Sequence, residues 1–220
     1  MTGRTFGTGW LADRLTRWYA RLLDENGVVD ETVYRTHGEE HRVYWVDADR
    51  WPMGGQYTPF GTVVLNADRL DDLSTEAVDY VFLHEIGHGQ RSAISTVFVY
   101  AVRTVVTLAA VLGLPLLGRR WVRSVGRASS SAEAIRSSSR LSIRGLGLVA
   151  GVGFVSWLDE GAAEVFALSK LGVTSYRRRR REFIDGADVG VAFRSLRRLV
   201  YPPPRLVVAV AEYLNRKRAQ

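Results

Sequence analysis

The sequence predicts an α+β chain, mostly helical, in which a small sheet and capped helices are interrupted by an apolar helical hairpin. Three observations carry that expectation. Apolar residues recur at three- and four-residue steps near both ends of the chain, the period of an amphipathic helix. Two short runs near the N-terminal end are rich in β-branched and aromatic residues, as strands are. Between residues 93 and 158, long uncharged stretches surround an arginine-rich centre.

Taken in order, residues 10–25 place Leu11, Leu15, Trp18, Tyr19 and Leu22 at helical spacing, with Asn26-Gly27 as the stop. Residues 42–47 and 62–66 read as strands, separated by the turn chemistry of Trp51-Pro52-Met53-Gly54-Gly55. Asp71-Asp72-Leu73-Ser74 introduces a helix with Ser74 as N-cap, running through His84-Glu85-Ile86-Gly87-His88 to Gly89. From Ala93 to Gly118 only Arg103 is charged. Residues 119–144 read as an Arg/Ser-rich loop carrying seven arginines opposed by Glu133 alone, and residues 145–158 are apolar again. A further helix runs from about Asp159 to Leu171 and stops at Gly172. Arg177 to Arg181, the turn Tyr201-Pro202-Pro203-Pro204 and an amphipathic helix from Arg205 to about Arg216 complete the chain.

Composition narrows the chemistry. The 220 residues contain no cysteine, which excludes a disulfide scaffold, a zinc ribbon, an iron–sulfur site and a thiol nucleophile. A transition-metal site must therefore use carboxylates and the four histidines, His37, His41, His84 and His88. The net charge of +7 is almost wholly arginine. Aromatic residues are not interleaved with those arginines, so no nucleic-acid partner is expected. The first residues hold neither an apolar signal core nor a cleavage site, so no secretory signal is expected.

His84-Glu85-Ile86-Gly87-His88 is an H-E-x-x-H pattern. Residues four apart share a helix face, so both imidazoles can meet one metal, and Glu85 beside them can reach a metal-activated water. Catalytic zinc needs a third protein ligand and an open position. The candidates are Glu160 and Glu164, also four apart: one can bind metal while the other hydrogen-bonds a ligand imidazole. Gly161, Ala162 and Ala163 between them allow close helix approach. The competing reading of these carboxylates is an ordinary acidic helix start.

A rival pattern exists. His37-Gly38-Glu39-Glu40-His41 matches H-x-x-E-H, but Gly38 interrupts helix propensity and a strand follows at once. The segment reads as a polar helix end or loop, a poor frame for two rigid ligands.

Thr62 to Asn66, Leu70 to Ser74, His84 to His88, the apolar hairpin and Glu160 to Glu164 together resemble the HtpX-like membrane metallopeptidases, gluzincins that include the CAAX prenyl endopeptidases. The resemblance covers roughly residues 55–215. It implies a zincin-like metallopeptidase domain split as 1–92, 93–158 and 159–220. It further implies one Zn2+ per chain held by His84, His88 and Glu160, with Glu85 as general base. Glu164 stands where the family has Asp in E-x-x-A-D, to orient a ligand imidazole. Tyr201-Pro202-Pro203-Pro204-Arg205 looks like a degenerate form of a family His-Pro followed by Arg, which makes Tyr201 and Arg205 candidate oxyanion stabilisers; a rigid Pro-rich turn is the competing reading. An exposed edge on the strand Tyr57–Asn66 would pair with an extended protein or peptide substrate. The alternative function is a zinc-binding membrane scaffold or regulator without activity.

The two apolar segments occupy the place of the family's membrane hairpin. A bilayer core of about 30 Å takes around twenty apolar residues as helix; Arg103 costs about 2.5–3.5 kcal/mol near the centre of the first segment, and the second holds only the stretch from Gly145 to Leu158. A buried soluble hairpin competes with insertion. The family topology implies a cytoplasmic catalytic site, whereas the basic loop argues for a hairpin lying on one leaflet, with anionic lipid as partner.

Overall fold

A computed structural model describes residues 9–36, 39–91, 93–186, 197 and 200–218. In chain order the elements are α1 (Trp10–Leu23), β1 (Val28–Thr36), β2 (Glu39–Val46), β3 (Gly55–Tyr57), β4 (Val63–Asn66), α2 (Ala67–Leu70), α3 (Thr75–Gly89), α4 (Ala93–Gly126), α5 (Ser131–Leu171), α6 (Val173–Gly186) and α7 (Pro204–Arg218). The chain is mostly helical with a small mixed sheet, which fits the α+β class. The described residues fall into two compact units, one from 9–36, 39–91, 162–186, 197 and 203–218, the other from 93–161 and 200–202.

The first unit is built on a four-stranded sheet in the order β1-β2-β4-β3. β2 and β4 pair in parallel at its centre, and Val43, Tyr44 and Val46 of β2 and all four residues of β4 are buried. Alternate side chains leave opposite faces of a strand. Tyr44, Val46 and Val64 join Ala20, Ala48 and Trp51 in a core cluster beneath α1. Asn66, fully buried, donates to the Ala48 and Trp51 carbonyls and accepts from the Ala48 amide, pinning the segment between β2 and β3.

The buried face of α1 takes in only part of the expected stripe, with Tyr19 packing against the core beside Leu23. Thr16 and Ala20 face the sheet, while Leu11, Trp18 and Leu22 are exposed. The reason lies outside the helix: Thr16 Oγ1 meets Thr62 Oγ1 at 2.7 Å, and Thr62 meets Thr58 at 2.5 Å. This chain of hydroxyls and the small Ala20 let the helix lie close to the sheet.

Two strands escape a reading based on composition. β1 (VVDETVYRT) carries three acidic or basic residues, and β3 has only three residues. β3 pairs antiparallel with β4 across the turn where the Thr58 amide donates to Thr62 O. The segment Tyr57–Asn66 is therefore two strands, and the free edge of the sheet on this side belongs to β3.

The run Arg177 to Arg181 lies on α6 beside α3. Arg178 pairs with Glu76, Arg179 with Asp79 at 3.5 Å, and Glu182 accepts from the Ser74 amide at 2.7 Å. Gly172 separates α5 from α6 with φ 73°, the left-handed conformation that glycine adopts at no steric cost.

In the second unit, α4 and the first thirty-odd residues of α5 form an antiparallel hairpin. Trp121 Nε1 donates to Ser138 Oγ at 3.0 Å, Gly113 faces Leu148, and Gly151 faces Val106. The expected loop over 119–144 is helical except for residues 127–130. Arginine and serine in an exposed helix cost little relative to alanine, and Ser130 and Glu133 cap the second helix at its start. Stretches from Ala101 to Gly126 and from Ser131 to Leu171 are long and apolar enough to cross a membrane. Only 6% and 11% of their most apolar windows are buried, so their apolar side chains are not spent on a protein core.

Candidate metal centre

The centre begins with α3. Ser74 caps it by accepting from the Ala77 amide, Glu76 lies in its first turn, and every residue from Ala77 to Gly87 except Asp79 is buried. His84 and His88 fall one turn apart, with ring centroids 5.0 Å apart and planes at 85°. His84 is 3% exposed and Glu85 6%.

α5 supplies the carboxylates and runs unbroken through Gly161 and Ala162. Gly87 allows this helix to come close: a Cβ there would stand 2.7 Å from Ala163 Cα. Because the neighbour is backbone, a Gly87→Ala variant must spread the two helices. It is expected to lose about 1–3 kcal/mol of stability, read by denaturation, with weakened metal uptake; an unchanged midpoint would refute the tight crossing.

One turn before Ala163 stands Glu160. One ligand atom each from His84, His88 and Glu160 lie within 4.8 Å of one another, so this group can hold a metal ion. Two imidazoles and a carboxylate form a donor set that suits zinc and other divalent transition metals.

The carboxylates around this group are all partnered. Glu85 Oε2 accepts from the Tyr57 amide at 2.8 Å, which ties the base candidate to strand β3. Asp159 accepts from Arg103 Nη1 at 2.8 Å, and the same nitrogen is 3.5 Å from Glu160 Oε1. Arg103, the lone charge in the first apolar segment, is therefore paired.

Glu164, fully buried, takes Tyr80 Oη at 3.0 Å and Arg180 Nε at 2.8 Å on its Oε1. Tyr80 in turn lies 6.0 Å from the His84 ring, centroid to centroid. The hydrogen bonds of Glu164 thus run to a tyrosine and an arginine around the ligand helix. Burial pulls the Arg180 guanidinium down, but the Glu164 charge, helped by Tyr80 and Tyr176, holds it above its ordinary value. Burial, then the Glu164 charge, raises the Tyr176 hydroxyl well above the usual tyrosine range, keeping it neutral.

The remaining expected residues come from other segments of the chain. His41 is on β2, paired across the sheet with Tyr34 and edge-on to Phe82 at 5.8 Å; the segment that reads as a helix end or loop is strand from Glu39 onward. His37 lies outside the described residues. Tyr201 is half-buried just before α7, and Arg205 is exposed on its first turn.

Arg180, Tyr80, Asp159 and the role of Arg103 are absent from the sequence reading. A signal for Arg180 exists in the spacing Tyr176, Arg180, Phe183 and Ile184, an inward helical stripe within the arginine run. Compared with protein-family models, with curated proteins and with solved structures, the chain matches none.

Proposed function

We propose that the chain is a membrane-associated, zinc-dependent endopeptidase with a zincin-like catalytic arrangement. The observation that carries this reading is the convergence of His84, His88 and Glu160 beside a buried Glu85. His84, His88 and Glu160 would hold the ion. Bound there, zinc would polarise the scissile carbonyl and acidify water.

Glu85 takes the proton of the attacking water and returns it to the leaving amine. The Tyr57 amide fixes one oxygen of Glu85, so the carboxylate is oriented before substrate arrives. β3, at the edge of the sheet, offers the backbone against which an extended peptide can pair. Arg180 and Tyr80 hold Glu164, and through the ring of Tyr80 that network borders His84. The exposed α4–α5 hairpin and the outward Trp18, Leu11 and Leu22 of α1 support attachment to a membrane.

Metal analysis tests the centre. Wild-type protein is expected to carry about one zinc per chain, while His84→Ala and Glu160→Ala lose most of it and keep their helical content. Wild-type protein that takes up no zinc under saturating metal would remove the proposal.

A further inference from the structure

The hairpin distributes its charge along its axis rather than around it. Arg119, Arg120, Arg123 and Arg127 sit at the end of α4, and Arg136, Arg140 and Arg144 near the start of α5. No guanidinium of the seven has an ion pair or hydrogen bond among the described residues, and the one carboxylate nearby, Glu133, accepts from the Ser129 amide and hydroxyl. At the opposite end of the hairpin, Arg103 is neutralised by Asp159 and Glu160. Between these ends, Thr104–Gly118 and Gly145–Leu158 are uncharged. Each spans about 21–23 Å of helix.

This arrangement separates two modes of membrane contact. A helix that lies on a leaflet segregates polar and apolar residues around its circumference. On α4 the exposed Val105, Leu108, Val111, Leu112, Leu114 and Leu116 sweep an arc of about 200°, and the arginines follow them along the axis. That is the pattern of a span. Its uncharged length falls short of a hydrocarbon core of about 30 Å, and the flexible stems of arginines at the tip make up the difference by reaching outward to phosphate. Trp121, among those arginines, suits the headgroup level.

Orientation follows from the same charges. Short loops rich in arginine stay on the cytoplasmic side, and an anionic leaflet contributes about 1 kcal/mol for each nearby cation. The arginines after α5 compete weakly, because their run begins only at Arg177, about 19 residues beyond Leu158 and at the limit over which flanking cations count. We infer that the hairpin crosses the bilayer with its seven-arginine tip against the anionic cytoplasmic leaflet and its Arg103–Asp159–Glu160 end on the opposite side. This rests on the membrane part of the proposed function, not on hydrolysis. It reverses the orientation that the resemblance implies and gives the site substrates outside the cytoplasm.

The absence of cysteine makes the test direct. Ala132→Cys, exposed at the tip, and Thr174→Cys, exposed three residues after α5, are expressed separately as the full chain in bacterial cells and treated with a membrane-impermeant maleimide. Thr174→Cys is expected to label in intact cells, and Ala132→Cys only after permeabilisation. The reverse pattern overturns the orientation, and labelling of both from one side overturns the crossing. Gln at Arg119, Arg120, Arg123 and Arg127 together is expected to give a mixed pattern; an unchanged one would show that these arginines do not orient the hairpin. Zinc content of the same samples separates the two readings, since an inverted chain that still binds zinc removes only this inference.

Discussion

Glu85→Gln is expected to reduce hydrolysis of an unfolded protein substrate by about 10²–10⁴-fold while leaving zinc content unchanged. The glutamine is isosteric, and its amide oxygen can still accept from the Tyr57 amide, as the Oε2 carboxylate oxygen does at 2.8 Å. What disappears is the capacity to take a proton. The measurement is initial rates in detergent for wild type and variant, beside metal analysis of both. Equal and substantial rates would exclude Glu85 as the base. If both bind zinc and neither cleaves any unfolded or membrane substrate, the scaffold reading replaces the enzyme.

The second large effect concerns stability. Arg180→Met leaves the Glu164 carboxylate, 0% exposed, without its counterion. Breaking a buried pair by removing one partner typically costs about 3–5 kcal/mol, because the remaining charge keeps its desolvation penalty. Removing both charges in Arg180→Met with Glu164→Met should recover part of that loss, since two apolar side chains need no counterion but take the Glu164 acceptor from the buried Tyr80 hydroxyl. Denaturation midpoints of the two single variants and the double variant form the cycle. Additive losses would mean that the pair does not couple. Zinc affinity in the double variant then reports whether the network orients His84 or only stabilises the helices around it.

The extent to which the sequence is legible follows the kind of signal involved. Local chemistry is readable: Ser74 caps α3, α1 begins at Trp10, and β4 lies where β-branched residues cluster. The convergence of His84, His88 and Glu160 is readable too, because helical spacing places two ligands on one face and small residues at 161–163 mark the approach. Non-local choices are not. Which face of α1 is buried depends on hydroxyl contacts with Thr62, and no periodicity of large residues discloses that. β1 holds five β-branched residues and Tyr34, but Asp30, Glu31 and Arg35 break its apolar run, and it is completed as a strand by pairing with β2. Arg180 looks like its four neighbours and is separated from them only by the helical phase that turns it toward Glu164. Arg103 reads as a defect in an apolar run until Asp159, 56 positions away, is seen beside it.

That α5 continues from Ser131 through Glu160 without interruption gives the third ligand an angular debt to the hairpin. Each residue of an α-helix advances about 100°, so the direction in which Glu160 projects is tied by counting to that of Arg136, Arg140 and Arg144. A one-residue insertion or deletion in the intervening apolar stretch would swing the carboxylate out of register with its Arg103 partner, and a change of seven residues would restore the angle but carry the carboxylate about 10 Å along the axis. The apolar stretch can therefore exchange one uncharged side chain for another but cannot change in length. In divergent chains built on this plan, the spacing from arginine tip to glutamate should persist where the residues between them do not.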